Sequence, residues 1–156
     1  MGKIEEYADG SILDGIGRAL KLLGEGEAEL SVNPLTRQMH EKISAFRPKV
    51  VSIRKASVFI NQASSVAIGE RVCRPLHPDS VATDSVFLDD LAVAMTEAGR
   101  ARAASVEEAL RALQAHEGYP LVISTVSGKY QEICASCPSS CVFWKAEKKG
   151  LRIWSR

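Results

Sequence analysis

No apolar run in this 156-residue sequence approaches the ~20 residues that a membrane-spanning helix needs, so a membrane protein is not expected. The first seven residues lack the apolar core of a secretion signal. Glu6 stands where a myristoylation pattern has serine or threonine. We therefore expect a cytoplasmic protein. The formal net charge of +1 gives the whole chain no attraction to nucleic acid or anionic lipid.

The sequence also lacks the short motifs of several enzyme classes. It contains no phosphate-binding loop, no glycine-rich dinucleotide fingerprint, no Gly-x-Ser-x-Gly nucleophile elbow and no His-Glu-x-x-His zinc motif. The adjacent acidic pairs Asp89-Asp90 and Glu107-Glu108 do not form an acid–base dyad, because neighbouring residues on a helix point in different directions. Nothing outside the cysteines predicts catalysis, so whether the protein is an enzyme stays open.

The composition is that of a globular protein. Hydrophobic residues make up 46% and charged residues 25% of the chain, close to the averages for such proteins. A chain of this length can bury a core without needing a metal merely to fold. Because no internal repeat or low-complexity linker divides it, we expect residues 1–156 to form a single domain.

Five segments carry apolar residues at helical spacing together with start and stop signals. The clearest start is the capping box Ser105-Val-Glu-Glu108. The short stretch Gly24-Glu-Gly-Glu27 is predicted to be a loop. The predicted helices run between these residues: Ser11 and Gly24, Asn33 and Pro48, Ser85 and Gly99, Ser105 and Gly118, and Ser139 or Ser140 and Lys149.

Strands are predicted in three places. Segments 121–126 and 129–134 flank the turn residues Ser127-Gly128 and form a hairpin. Residues 151–154 are predicted as a last strand, and residues 49–73 fit either two or three strands or one long helix, of which we favour strands. The predicted fold class is α+β: about four to five helices with a β-hairpin or small antiparallel sheet that carries a C-terminal cysteine loop.

The cysteines are the most informative residues. Three of the four lie in Cys134-Ala-Ser-Cys137-Pro-Ser-Ser-Cys141, and the fourth, Cys73, lies far upstream. In a reducing compartment, clustered cysteines more often bind metals or act in redox chemistry than form disulfides. Four thiolates complete the coordination of a tetrahedral zinc ion or a [4Fe–4S] cluster. We predict that Cys73, Cys134, Cys137 and Cys141 bind the cofactor as metal ligands.

The spacing favours an iron–sulfur cluster over zinc. Structural zinc sites more often use two Cys-x2-Cys pairs, and only one such pair occurs here, whereas three close cysteines and a remote fourth are common in iron–sulfur proteins. We expect a [4Fe–4S] cluster with a role in electron transfer or redox sensing, and a redox or regulatory protein as partner. The oligomeric state is not predicted.

Zinc and metal-free thiols are the alternatives. Without a metal, Cys137 and Cys141 could act as a redox pair, and Cys73 could be a small buried residue. His77 follows Cys73 closely and could replace a cysteine as ligand, although an ordinary loop histidine is the simpler interpretation. Coordination requires Cys73 to lie beside the 134–141 loop, which follows naturally if a strand at 68–73 pairs with the hairpin.

One short segment resembles a known family. Glu132-Ile-Cys134 through Cys141-Val-Phe143 is similar to the end of 4-vinyl reductase-type ligand-sensing domains, in which a cysteine is followed at a similar distance by Cys-x-Phe. The resemblance covers about 12 residues and lacks the glycine that is usual between those cysteines. No function is carried over from it.

Charge is spread unevenly along the chain. Residues 31–78 contain eight basic and two acidic residues, and Lys145, Lys148, Lys149, Arg152 and Arg156 make the C-terminus basic. Such segments usually pair with acidic elements or form a solvated face. As an alternative function, we expect a zinc-stabilised interaction module that contacts nucleic acid or a protein partner through these basic segments.

Overall fold

The α+β class is confirmed by a computed structural model that describes residues 2–24, 33–80, 82–116 and 118–155. These residues form seven α-helices, more than the four to five predicted, and six strands. Of the predicted loop at Gly24–Glu27, only Gly24 is among the described residues. Arg156 of the basic C-terminus also lies outside them. The helices are α1 (Ile4–Asp9), α2 (Ile12–Leu23), α3 (Pro34–Ser44), α4 (Ile53–Gln62), α5 (Asp89–Glu97), α6 (Val106–Gln114) and α7 (Val142–Lys148). The strands are β1 (Lys49–Val51), β2 (Val66–Glu70), β3 (Asp84–Leu88), β4 (Ala101–Ala103), β5 (Leu121–Val126) and β6 (Lys129–Ala135).

Within the described residues, the strands form one antiparallel sheet in the order β1-β5-β6-β3-β2-β4. The predicted hairpin is confirmed as β5 and β6, which pair from Leu121↔Ala135 to Val126↔Lys129. The cysteine loop follows β6 directly, as expected. Each of the seven described helices is too short or too polar to span a lipid bilayer.

The sheet is covered on both faces, because side chains alternate along its central strands. Val86 and Leu88 of β3 pack in a cluster with residues of α4 and α6. Phe87, between them, packs in a second cluster with residues of α1 and α5. Helices α2, α3 and α7 form a third cluster, and the candidate functional site lies where they meet the second face of the sheet.

Helix-capping signals placed three helices correctly. Asn33 caps α3 through its side chain, which accepts a hydrogen bond from the Thr36 N–H at 3.0 Å. Ser105 caps α6, and its hydroxyl and the Glu108 carboxylate form the predicted reciprocal pair. Helix α2 follows Ser11 and ends before Gly24, as predicted. Helix α1 and strand β4 were not predicted.

The helix predicted to begin at Ser85 was wrong at its start. Residues 84–88 form β3, between β2 and β6, and α5 begins only at Asp89. The prediction failed because Phe87 and Leu91 also fit helical spacing, whereas pairing with two neighbouring strands satisfies the backbone groups of this buried segment.

Segment 49–73 combines both alternatives in the order strand, helix, strand. The β-rich ends form β1 and β2, and the middle forms α4, whose cap Ser52 accepts a hydrogen bond from the Lys55 N–H. Pairing of the 68–73 segment with the hairpin, which would have brought Cys73 to the cysteine loop directly, does not occur, because β3 stands between β2 and β6.

Two predictions near the C-terminus were also wrong. Residues 151–154 form no strand, and Ile153 instead packs with the cluster of α2, α3 and α7. The last helix is present as α7, but its N-cap is Cys141 rather than Ser139 or Ser140.

Candidate functional site

A cavity of about 70 Å³ lies between one face of the sheet and helices α2, α3 and α7. Cys73, Cys134 and Cys141 all line it. Cys73 comes from the segment after β2, Cys134 from β6 and Cys141 from the N-cap of α7. The fold therefore brings together cysteines from three different elements of the chain. Apolar side chains form most of the remaining wall, among them Ile16, Ala19, Ile43, Phe46, Val142 and Phe143.

Cys73 reaches the cavity through a turn at the end of β2. The Arg71 N–H donates to the Thr83 carbonyl at 2.8 Å, and the Arg74 N–H donates back to the Arg71 carbonyl at 2.9 Å. A short 3-10 turn, Arg74–Leu76, follows at once. Although β2 is not paired with the hairpin, its end therefore lies beside the cysteine loop.

Cys134 is held by the sheet itself, with Ser85 of β3 and Val122 of β5 as its partners on either side. Glu132, two residues earlier, lines the same cavity, as strand alternation requires. The register of β5 and β6 shifts between Ser124 and Thr125, where Glu132 and Tyr130 are their respective partners. This β-bulge accommodates Gln131 as an extra residue.

The buried side chain of Gln131 stabilises the bulge. Its amide oxygen accepts from the Leu91 N–H at 3.0 Å, and its amide nitrogen donates to the Val126 carbonyl at 2.7 Å. The bulge thus joins the hairpin to α5 and fixes the register that directs Glu132 and Cys134 towards the cavity.

Cys141 and Cys137 lie at the two ends of one tight turn. The Cys141 N–H donates to the Cys137 carbonyl at 2.9 Å. Cys141 lines the cavity, but Cys137 does not, and its sulfur lies 3.1 Å from the Ser139 hydroxyl oxygen. Of the four predicted ligands, the structure therefore gathers Cys73, Cys134 and Cys141 and leaves Cys137 aside.

Burial controls the ionisation of the three cavity thiols. Burial raises the pKa of Cys73 to about 12, raises that of Cys134 well above its usual value and raises that of Cys141. The charge of Arg71 opposes the shift at each of them. Burial also raises the pKa of Glu132 to about 7, against the effects of Ser85, Arg71 and Ser124.

Cys137 differs from the other cysteines in its ionisation. Burial disfavours its thiolate, but the hydroxyls of Ser139, Ser140 and Tyr119 outweigh that effect and bring its pKa to about 7. At neutral pH a large fraction of Cys137 is therefore the nucleophilic thiolate, whereas the cavity cysteines hold their protons.

Arg71 is a buried charge beside these thiols. Its side chain is 4% exposed and donates to the Ala135 carbonyl at 3.3 Å and to the Ser80 hydroxyl at 3.1 Å. Its Nε has no hydrogen-bond partner, and no carboxylate in the described part of the chain lies within ion-pair distance of it. Because buried arginines are normally paired, this guanidinium indicates that the cavity can hold negative charge.

His77, the alternative ligand considered from the sequence, also lines the cavity. Burial lowers its pKa, and the charges of Arg71 and Lys145 lower it further, which keeps the imidazole neutral and able to act as a ligand. Its Nε2 is buried and has no hydrogen-bond partner among the described residues.

The two aromatic residues after Cys141 separate in the structure. Phe143 lines the cavity and contacts the ring of Phe46, with centroids 6.1 Å apart. Trp144 instead packs against Trp154, with centroids 4.6 Å apart. Phe143 therefore shields the cavity from water, and Trp144 belongs to the packing of the C-terminus.

The cysteine, histidine and glutamate side chains line the same cavity but are not positioned as the ligands of a metal ion. Across the residues that the structure describes, no three His, Cys, Asp or Glu side chains are arranged to hold a metal ion. Cys73, Cys134 and Cys141 surround a common space as protonated thiols, and ligation requires loss of those protons and rotation of the side chains.

Sequence reasoning missed Glu132 and Arg71. Glu132 could have been found from its position two residues before Cys134 on a predicted strand, since both side chains point to one face. Arg71 carried no such signal, because a lone basic residue in a basic segment gives no indication of burial.

Comparisons with known proteins identify no relative. No family model matches the chain, no curated protein matches it, and no solved structure matches its fold.

Proposed function

We propose that the protein binds a thiophilic metal ion through Cys73, Cys134 and Cys141. One observation carries the proposal: cysteines from three segments of the chain line one buried cavity. Several thiolates around one site are the donor set that soft metal ions favour. This proposal gives a role to three of the four cysteines of the sequence and gives none to Cys137.

The charge balance around Arg71 supports a thiolate centre. Three thiolates and one divalent ion carry a net charge of about −1, and the buried guanidinium of Arg71 would neutralise it. A bound cation also offsets the burial that keeps the thiols protonated, because it stabilises their ionised forms. Metal binding would thus supply the anionic partner that Arg71 lacks.

Zinc is the ion that these side chains suit best. Zinc accepts mixed sets in which three cysteines are joined by a histidine or a carboxylate. Glu132 and His77 line the same cavity and are the two candidates for the fourth position. The centre would join the turn after β2, the sheet and α7, which is the role of a structural metal site.

A [4Fe–4S] cluster is the second candidate, and Cys137 is the observation that favours it. This thiol lies on the same loop as Cys134 and Cys141, and its pKa of about 7 makes it the readiest thiolate of the four. To complete the cluster, Cys137 has to leave Ser139 and turn towards the cavity. The function would then be electron transfer or redox sensing with a protein partner.

Metal analysis of protein purified without oxygen tests both candidates. The variants are Cys73→Ser, Cys134→Ser and Cys141→Ser, with Cys137→Ser as the matched change outside the cavity. A zinc centre predicts about one zinc per chain, retained by Cys137→Ser and lost from the other three variants. A cluster predicts a brown protein with about four irons, and loss of colour from all four variants.

Reconstitution with added metal distinguishes a protein that lost its metal during purification from one that binds none. The reduced protein is titrated with Zn²⁺ against a coloured chelator and, separately, treated with ferrous iron and sulfide. If neither treatment gives a stoichiometric complex that depends on Cys73 and Cys141, the metal-binding proposal is rejected.

A further inference from the structure

Two cations and two aromatic rings form a continuous row on the surface of the protein. Lys55 Nζ lies 5.7 Å from the centre of the Phe59 ring, the Phe59 and Tyr130 ring centres are 5.9 Å apart, and Arg47 Cζ lies 6.0 Å from the centre of the Tyr130 ring. We refer to Lys55, Phe59, Tyr130 and Arg47 as the cation–aromatic row. It brings together α4, β6 and the segment before β1.

The segment that supplies three of the four residues of the row is basic and has no acidic residue. Residues 42–69 contain five lysines and arginines and no aspartate or glutamate. These cations are Lys42, Arg47, Lys49, Arg54 and Lys55, and none of them forms an ion pair with a carboxylate of the described residues. Because no ion pair within the described residues neutralises these cations, their positive charge is available to an outside partner.

The backbone places Arg47 in an unusual conformation. Its φ is +46°, in the left-handed region that residues other than glycine rarely adopt. The Tyr130 hydroxyl donates to the Arg47 carbonyl at 2.9 Å and holds the residue there, with its guanidinium over the same ring. Local strain of this kind is retained where the surrounding contacts compensate for it, and it often marks functional positions.

An exposed valine extends the surface beside the row. Val58 of α4 is 44% exposed and lies three residues after Lys55 on the same helix, so apolar contact area is available next to that cation. Phe59 and Tyr130 are half-buried and pack against the cluster that faces α4 and α6. The row therefore lies on the opposite side of the sheet from Glu132 and Cys134 and is independent of the metal proposal.

From these observations we propose that the cation–aromatic row binds single-stranded nucleic acid. Proteins bind single strands by combining cations that contact phosphates with aromatic side chains on which bases stack. Lys55 and Arg47 supply the charge at the two ends, and Phe59 and Tyr130 supply the rings between them. An acidic protein would use the cations without needing the rings, which is why the alternation favours a nucleic acid.

Fluorescence anisotropy with a labelled single-stranded oligonucleotide of about 12 nucleotides tests the proposal. We expect affinity to fall as salt rises, with a slope of log K against log salt of about −0.7 for each phosphate contact. The double variant Arg47→Gln/Lys55→Gln should flatten that slope by about 1.4 and weaken binding about tenfold. Phe59→Leu, which keeps the residue apolar, should weaken binding about fivefold without changing the slope.

The matched control is Lys21→Gln/Lys148→Gln, which removes two exposed cations from α2 and α7 on the other side of the molecule. We expect it to bind as the wild type does, and circular dichroism checks that each variant is folded. The proposal is overturned if the wild type does not bind at low salt, or if the control loses affinity as much as Arg47→Gln/Lys55→Gln. It is also overturned if polyglutamate competes as well as the oligonucleotide and Phe59→Leu has no effect, since that result assigns the surface to an acidic protein.

Discussion

Glu132 and the cavity cysteines show how burial changes the chemistry of single residues. The structure places the Glu132 carboxyl beside three buried thiols, and burial raises its pKa to about 7. A free glutamate titrates near 4.5. In the metal-free protein, the folded state therefore holds this proton over a pH range in which the unfolded chain has lost it.

The first prediction concerns the pH dependence that follows from Glu132. Because the folded-state pKa is raised, the contribution of the protonated group is fully present below about pH 4.5 and is lost as pH rises through about 7. We expect Glu132→Gln to lack this loss and to exceed the metal-free wild type in stability above pH 7, by on the order of 3 kcal/mol. Urea unfolding at several pH values measures the difference, and parallel pH profiles of the two proteins would contradict it.

The second prediction concerns Cys137. Its pKa of about 7 and partial exposure distinguish it from the cavity thiols, whose pKa values are raised by burial. We expect one thiol of the metal-free protein to react rapidly with a disulfide reagent at neutral pH, at a rate that rises with pH around 7. Cys137→Ser should remove the rapid phase and Cys73→Ser should keep it. A rapid phase that survives Cys137→Ser would assign the reactive thiol elsewhere.

At the scale of elements, two serines that precede helices differ in the structure although the sequence treats both as caps. The Ser105 hydroxyl accepts from the Glu108 N–H at 3.1 Å. Ser11 precedes α2 in a helical backbone conformation, and its side chain makes no capping hydrogen bond. The cap residue normally has an extended backbone, which Ser105 has and Ser11 lacks.

The third prediction uses these serines as a matched pair. Ser105→Ala should lower the free energy of unfolding by about 1 kcal/mol, because it leaves the Glu108 N–H of α6 without its partner. Ser11→Ala should change it by less than about 0.5 kcal/mol. Urea denaturation of the two variants compares them directly. If both variants lost the same free energy of unfolding, the capping hydrogen bond of Ser105 would not be the cause of its loss.

Elements whose signals are local were predicted well, and those that depend on neighbours were not. The hairpin of β5 and β6 and the helices α3 and α6 have their turn or cap residues within a few positions of the element. Strand β3 was predicted as a helix, because its apolar spacing fits both structures and only pairing with β2 and β6 decides between them.

At the scale of the whole molecule, the candidate site joins three separate parts of the fold. Cys73 belongs to the turn after β2, Cys134 to the centre of the sheet and Cys141 to the start of α7. A ligand that binds all three only in the folded state stabilises the entire fold, since the unfolded chain does not preserve their arrangement.

The fourth prediction is therefore a metal-dependent melting temperature. Zinc at about 100 times its dissociation constant should add about 2.7 kcal/mol of stability, which for a chain of this size is a rise of roughly 5–10 °C. Calorimetry with zinc and with a chelator measures the shift. Cys137→Ser should retain the shift and Cys73→Ser should lose it; an equal shift in Cys73→Ser would place the binding site elsewhere.

The α+β class, the hairpin, the better-capped helices and the interest of the cysteines could all be predicted from the amino-acid sequence, because they depend on local patterning and residue chemistry. Which cysteines meet depends on the folded chain. Cys73, Cys134 and Cys141 line the cavity together with Glu132 and the buried Arg71, and Cys137 does not. The physical reason is that sequence spacing fixes how far apart two side chains can lie, whereas strand order, a β-bulge and the turn after β2 determine which of them face the same space.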